Sequence, residues 1–167
     1  IDVCHCKAYN ANKYNYCKPT ILDQDSDSES AFESAFESAS ASESKSYVSF
    51  KKMRHCLIEH INNKELYVSN DLTIGNSNNS NNSNKNGILL YGTNAVGKTS
   101  FIKSIGIAII LAQSGMYVPC KEFTYYPYNY LFTRILGNDN IFKGLSTFAV
   151  EMSELRTILK NANQNSI

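Results

Sequence analysis

The chain has 167 residues, a formal net charge of +1 at pH 7 and 43% hydrophobic residues, which suits one domain with its own core. Such a balanced charge gives no compositional reason to expect a nucleic-acid or membrane surface, and the longest apolar-rich stretch, residues 102–112, is too short to span a bilayer. The five cysteines lack the spacing of a disulfide framework, which favours a reducing, intracellular compartment.

The first part of the chain combines a short ordered piece with a biased insert. Residues 1–22 are predicted to be ordered. Residues 23–46 read DQDSDSESAFESAFESASASESKS, a repeat of Ser, Ala and acidic residues that buries too little apolar surface to offset its ordering entropy. We therefore predict a disordered insert there, and an ordered domain that begins at residue 47.

Two strand-like runs, residues 66–74 and 87–91, flank a second biased segment. The segment between them, residues 76–86, is rich in Asn and Ser and is predicted to be an enlarged surface loop, which adds little closure entropy. The second run contains Ile88-Leu89-Leu90-Tyr91, which is continuously apolar. Such a run is typical of a strand buried on both faces, and a parallel sheet supplies that environment.

A glycine-rich loop comes directly after this run. Its residues follow the pattern G-x-x-x-x-G-K-[ST] and read Gly92-Thr93-Asn94-Ala95-Val96-Gly97-Lys98-Thr99. A phosphate chain needs several converging backbone N–H donors, and Gly92 and Gly97 let the backbone wrap closely enough to supply them. Lys98 is predicted to reach the β- and γ-phosphates and Thr99 to offer its hydroxyl to Mg²⁺, with Ser100 beside them at the start of a helix.

The elements that follow the loop complete an α/β pattern. Apolar residues recur at helical spacing from Lys98 to about Gln113, which predicts a core-facing helix. Residues 123–135 are aromatic and β-branched and predict two short strands broken near Pro127. A capped amphipathic helix is predicted from Ser146 or Thr147 to about Asn161. The order of an apolar run, a glycine-rich loop and a helix, followed by further strands and a second helix, predicts a P-loop nucleotide-binding fold, in which helices flank a sheet.

Nucleotide hydrolysis needs more than this loop. It requires an acidic residue at the end of a second buried strand, and no run of four apolar residues followed by Asp occurs after Thr99. We therefore assign no catalytic residue and leave open whether the chain is an enzyme. We expect an incomplete sheet, an internal fragment of a longer protein, and nucleotide binding without turnover.

Several segments together resemble the ATPase domain of the MutS family of DNA mismatch repair proteins. They are KKMRHCLIEHI, YVSNDLTI, GTNAVGKTSFIKSIG, AIILAQSGMYVPCKEF and LFTRILGNDNIFKGLSTFAVEMSELRTILKNA. The chain departs from the family pattern at Cys56, where Pro is usual, and at Thr93 and Val96, which replace Pro and Gly of the loop. The form GTNAVGKTS is similar to that of MutS variants from giant viruses and mitochondria.

This resemblance implies an ABC-ATPase-like sheet that binds ATP or ADP with Mg²⁺. It places Tyr67 on the adenine ring, and Asn94 and Ser146 near the γ-phosphate, Ser146 acting from a partner subunit. Two plainer interpretations stay open: Tyr67 as an aromatic that fills a half-buried strand, and Ser146 as an ordinary helix cap.

The resemblance also implies an organisation and partners. Residues 1–22 are similar to the helical end of the lever region, and residues 47–167 to the N-terminal part of the ATPase domain. The expected partners are a second MutS-like subunit, in a homo- or heterodimer, and mismatched double-stranded DNA, bound through domains not represented here. Nucleotide state is expected to switch a DNA clamp. No membrane is implied, and nucleus, cytoplasm, viral factory and mitochondrion are not distinguished.

Three other hypotheses remain open. One is a composite-site ATPase of the ABC or SMC kind, although residues 145–148 depart from the L-S-G-G-Q signature of that class. Another is an inactive fragment that binds nucleotide and turns nothing over. The third is a zinc site at Cys4, His5, Cys6 and Cys17, whose C-x-C spacing departs from the C-x₂₋₄-C pairs usual in structural zinc sites.

Overall fold

The computed structural model describes residues 1–22, 46–61, 66–75, 85–134 and 147–167. The predicted insert at 23–46 and the predicted loop at 76–86 lie almost wholly outside these ranges. The chain divides into two compact units, Ile1–Pro127 and Tyr128–Ile167, which are described separately. The helices and strands in chain order are α1 Asp2–Tyr14, β1 Thr20–Ile21, β2 Tyr47–Met53, α2 Ile58–Ile61, β3 Asn70–Gly75, α3 Lys98–Gln113, β4 Glu122–Tyr125 and α4 Thr147–Asn161.

The first unit is built around a mixed four-stranded sheet in the order β1-β4-β2-β3. The central strand β2 is antiparallel to both β3 and β4, whereas β1 pairs with β4 in parallel. Val48 and Phe50 alternate with less buried residues along β2, the period-2 pattern expected when one sheet face is covered. The α/β class is therefore confirmed, but the expectation of a parallel sheet is wrong for the strands described.

The core of this unit lies where β2 pairs with β4. Phe50 is opposite Phe123 in the register, and their rings stack with centroids 6.2 Å apart. Val48 is opposite Tyr125, and all four side chains are almost fully buried. Truncating either phenylalanine to Ala should lower the free energy of unfolding by about 3–5 kcal/mol.

Helix α3 has the bounds that its apolar periodicity predicts, Lys98–Gln113. Its buried residues include Ala108, Ile109 and Ala112, which lie on the predicted core face. The helix is followed by Gly115 at φ +69°, whose backbone N–H donates to the carbonyl of Ala112. A glycine in this left-handed conformation is the usual way to end a helix.

The apolar run before the glycine-rich loop differs from its prediction. Residues 88–91 are not a strand, and their side chains are exposed by 44%, 86%, 39% and 86% in chain order. No strand in the described part of the chain pairs with this run. A continuous apolar pattern indicates that a segment suits a buried strand, but a strand forms only where neighbours complete its hydrogen-bond ladder.

The second unit contains α4, which ends at Asn161 as predicted. Ser146, one of its two predicted caps, lies outside the described residues. Arg134 forms ion pairs with Glu151 at 2.7 Å and Glu154 at 3.8 Å, on successive turns of α4. Of the second strand predicted after Pro127, the described residues up to 134 contain an isolated bridge between Tyr130 and Ser166.

Candidate functional site

The glycine-rich loop turns directly into α3. Gly97 occupies the N-cap position with φ +91°, and Ala95 two residues earlier also has a positive φ of +65°. A Cβ added at Gly97 would meet no heavy atom within 4 Å, so its backbone conformation, rather than a steric clash, demands glycine. The loop therefore presents its backbone at the helix start with little side-chain bulk.

The first turn of α3 is well suited to an anion. No side chain caps it and it contains no acidic residue, so its leading N–H groups receive no side-chain acceptor. These donors and the helix dipole together favour negative charge at this end of the helix. The turn begins with Lys98, which adds a full positive charge.

Lys98 folds back over the loop that precedes it. Its Nζ donates hydrogen bonds to the carbonyl oxygens of Gly92 at 2.7 Å and Thr93 at 2.5 Å. The ammonium group therefore lies against the backbone of the loop, and both of these contacts are to neutral acceptors. An ammonium group bonds more strongly to an anionic oxygen than to such carbonyls, so an anion would compete effectively for Lys98.

A cavity of about 560 Å³ adjoins the loop. Ligand pockets commonly have volumes of about 300–1,000 Å³. One side, which we call the loop wall, consists of Val96, Gly97, Lys98 and Ser100. Another side, which we call the α2–β3 wall, consists of Ile58, Tyr67 and Leu72. Ile88, Leu90 and Tyr91 also line the cavity, in which apolar side chains predominate and Asn70 and Asp71 are the polar residues beside Leu72.

Tyr67 is half-buried in the α2–β3 wall. Burial raises the pKa of its hydroxyl, the backbone N–H of His55 lowers it, and the charge of Glu59 raises it. The ring is therefore neutral at physiological pH and offers a flat apolar face. The role predicted for Tyr67, stacking on the adenine ring, requires a flat neutral ring that lines the same cavity as Lys98.

The structure brings together only some of the predicted site residues. Tyr67 and four loop-wall residues line one cavity. Gly92 and Thr93 touch this site only through their carbonyl groups, which Lys98 binds. The side chains of the loop at positions 93–95 and of Thr99 lie on exposed positions outside the lining. Ser146 falls outside the described residues.

Several lining residues, among them Ile58, Asp71 and Leu90, were given no site role from the sequence. Ile58 and Asp71 lie in the segments KKMRHCLIEHI and YVSNDLTI, so the resemblance marked their neighbourhood without assigning them a role. The Asp71 carboxylate accepts a 2.7 Å hydrogen bond from the backbone N–H of Lys52, at an irregularity of β2 where Lys52 has φ +52°. Leu90 was expected inside a sheet, and its place at the cavity follows from residues 88–91 not being a strand.

Within the described ranges, no three His, Cys, Asp or Glu side chains lie close enough together to hold a metal ion. Cys4 and Cys6 are exposed on α1, and Cys17 is half-buried opposite Val118. Of the helices in the described part of the chain, none has the length and apolarity needed to cross a membrane.

Comparisons with known proteins agree on one family. Residues 88–167, which include the glycine-rich loop, α3, β4 and α4, match MutS domain V. A DNA mismatch repair protein mutS homolog of Acanthamoeba polyphaga mimivirus is 40% identical over 95% of the chain, and the mitochondrial DNA mismatch repair protein mutS homolog of Sarcophyton glaucum is 34% identical over 100%. DNA mismatch repair protein MutS of Alkaliphilus oremlandii is 29% identical over 100%. The alignments span 15%, 15% and 16% of these relatives.

Proposed function

Because the chain belongs to the MutS family of DNA mismatch repair proteins, we propose that it is the ATP-binding part of a MutS-like ATPase domain with a P-loop fold. One observation carries the proposal: Lys98 lies over the glycine-rich loop and lines the same cavity as Tyr67. A nucleotide has a charged end and a flat end, and the loop wall and the α2–β3 wall have the matching chemistry.

The loop wall fits the phosphate chain. Gly97, with open space where a Cβ would be, lets backbone N–H groups approach the phosphate oxygens, and Lys98 adds a positive charge. Thr93, Asn94, Ala95 and Val96 complete this loop. Mg²⁺ usually keeps several waters and needs few protein ligands besides the phosphates, so the hydroxyl of Thr99, at the first turn of α3, is the proposed protein ligand.

The α2–β3 wall fits the adenine base. The neutral ring of Tyr67 stacks on the base, and Ile58 and Leu72 supply apolar contact beside it. The cavity volume of about 560 Å³ leaves room for a bound nucleotide. Because stacking accepts any planar base, this wall contributes affinity more than base selectivity.

The wider activity is proposed from the family. MutS relatives are DNA mismatch repair proteins, so we propose that nucleotide state here is coupled to the shape of a clamp on mismatched DNA, within a dimer of MutS-like subunits. Asn94 contacts the γ-phosphate in this proposal, and Ser146 reaches it from the partner subunit. Full-length protein carrying Ser146→Ala that still hydrolyses ATP at the normal rate as a dimer would remove the role of Ser146.

The test of the phosphate site compares two lysines of α3. Lys98→Ala should lower the affinity for ATP about a hundredfold or more, because a charge-assisted phosphate contact is lost and the loop loses its two carbonyl contacts. Calorimetric titration of the full chain with ATP and Mg²⁺ measures the change.

Lys103→Ala is the matched control, because Lys103 is exposed on the same helix and lies outside the cavity lining. It should leave the affinity within about twofold of wild type. Equal losses for the two variants would mean that general attraction to positive charge, and not the loop, binds the nucleotide.

A further inference from the structure

The α2–β3 wall is held from behind by Arg54, the residue after β2. Its Nη1 donates to Glu59 Oε1 at 2.6 Å, and its Nη2 donates to the backbone carbonyls of Tyr14 and Asn15, each at 2.9 Å. The Arg54 and Glu59 side chains are only 20% and 21% exposed. A planar guanidinium can make these contacts in fixed directions at the same time, which a lysine ammonium cannot copy.

The two carbonyls that Arg54 binds lie at the C-terminus of α1. Tyr14 is the last residue of this helix, and Asn15 has the left-handed conformation of its cap at φ +53°. Carbonyls at a helix C-terminus lack partners within the helix and carry the negative end of its dipole, so a cation is favoured there. The guanidinium carbon of Arg54 also lies 5.8 Å from the ring centre of Tyr16. The attraction between the cation and the ring helps to hold Arg54 in this place.

The short helix α2 connects this contact to the cavity. Successive residues of a helix point about 100° apart, so consecutive side chains face different neighbours. Ile58 lines the cavity, Glu59 binds Arg54, and the ring of His60 lies 4.1 Å from the ring of Tyr14. Because Glu59 and His60 contact Arg54 and the end of α1, a displacement of the end of α1 would also displace Ile58 in the same helical turn.

His55 fixes where α2 begins. Its Nδ1 accepts the backbone N–H groups of Leu57 and Ile58 at 3.3 and 3.4 Å, and its side chain is buried. Burial raises the pKa of the Tyr67 hydroxyl, with smaller contributions from the backbone of His55 and the charge of Glu59. Ile58 is thus positioned by the segment from Arg54 to Glu59, and Tyr67 lines the same cavity beside it.

We propose that Arg54 is a positioning residue for the nucleotide base: it holds α2, and with it Ile58, at the cavity beside Tyr67 by anchoring Glu59 to the C-terminus of α1. Arg54 is not part of the cavity lining and acts through Glu59. This inference rests on the nucleotide site proposed above. Through Arg54, the position of the α2–β3 wall depends on the position of the C-terminal end of α1.

The test separates base binding from phosphate binding in the full chain. ATP and inorganic tripolyphosphate share a phosphate chain, but only ATP has a base. Arg54→Met should lower the affinity for ATP about five- to tenfold and change the affinity for tripolyphosphate less than about twofold, both measured by calorimetry. Lys98→Ala should lower both affinities together.

Two further variants make the result decisive. Glu59→Gln keeps the shape of the wall and removes the charge that Arg54 binds. It should therefore also lower the affinity for ATP, by less than Arg54→Met does, and leave the affinity for tripolyphosphate nearly unchanged. Lys51→Met removes the exposed ion pair with Glu122, whose side chains are 59% and 55% exposed, and should change neither affinity. If Arg54→Met is too unstable to measure, the ATP and tripolyphosphate affinities of Glu59→Gln alone test the proposal.

The outcomes are distinguishable. Equal losses for ATP and tripolyphosphate in Arg54→Met and Glu59→Gln would show a general structural role and overturn the proposal. A wild-type chain that binds tripolyphosphate as tightly as ATP would also overturn it, while leaving the phosphate site intact. If the wild-type chain binds neither ligand, the nucleotide site itself is wrong, and the role of Arg54 falls with it.

Discussion

The two walls of the cavity are held in place by different kinds of contact. In the loop wall, Lys98 binds carbonyls six and five residues earlier, and the conformation is set by Gly97 within the same stretch. In the α2–β3 wall, Glu59 is fixed by Arg54, which in turn binds carbonyls 40 and 39 residues earlier in the chain. The loop wall is therefore a local structure, whereas the α2–β3 wall depends on contacts between segments that are distant in the chain.

This difference has a consequence for binding. Changes in the loop wall should act directly on the phosphate contacts and leave the rest of the fold intact. Changes behind the α2–β3 wall should act on the base through the fold, and their effect on binding should be smaller.

After Lys98→Ala, the largest effect is expected at Gly97 of the loop wall. Gly97→Val places a β-branched residue at φ +91°, where such residues are strongly strained, and should lower the affinity for ATP about thirtyfold. Gly87→Val is the control, because Gly87 has open space around its Cβ position and no positive φ is recorded there. Calorimetry on both variants measures the difference, and a Gly97→Val chain that binds ATP normally would contradict the local account of the loop wall.

A smaller effect is expected at Tyr67 of the α2–β3 wall. Tyr67→Ala should lower the affinity for ATP about tenfold, since base–aromatic stacking contributes on the order of 1–3 kcal/mol. Tyr67→Phe keeps the ring and should bind ATP as the wild-type chain does. If the Phe variant loses as much affinity as the Ala variant, the hydroxyl and its neighbours at His55 and Glu59, rather than the ring, carry the interaction.

The smallest effect concerns Tyr16, beside Arg54 behind the α2–β3 wall. Burial, with the nearby Cys56 and Glu59, raises the pKa of Tyr16 from 10.0 to about 12. Because the folded pKa is raised, this contribution to stability is fully present below pH 10 and is lost as the pH rises to about 12.

Urea unfolding at a series of pH values between 9 and 12 measures this loss. Tyr16→Phe should show a weaker decline in the free energy of unfolding over that range, because its ring has no proton to lose. Parallel pH profiles for the two chains would show that Tyr16 ionises with equal ease in the folded and unfolded states.

The local parts of the structure were predictable from the sequence and the long-range parts were not. Helix α3 has the predicted bounds because apolar periodicity is a property of neighbouring residues. The strand predicted at residues 88–91 is absent because a strand also needs partners, which the apolar pattern does not identify. The mixed order of the sheet likewise depends on which distant strands pair.

The candidate site divides in the same way. The loop residues and their roles were proposed from one motif, and Tyr67 from a family resemblance, but no spacing rule places Tyr67 and Lys98 on one cavity. Arg54 was not singled out, because a basic residue in the run KKMRH is usually a solvated charge. Helix α2 spans only Ile58–Ile61, which is too short for periodicity to predict.

The central claim is that both walls bind one nucleotide, and amide hydrogen exchange of the full chain with and without ATP and Mg²⁺ tests it most directly. Binding should slow exchange at residues 92–101 and at residues 67–72 together, with the same dependence on ATP concentration. Lys98→Ala should abolish both changes. Slower exchange at the loop alone would confine the ligand to the phosphate site and contradict the role of the α2–β3 wall, and no change at either wall would contradict the whole account.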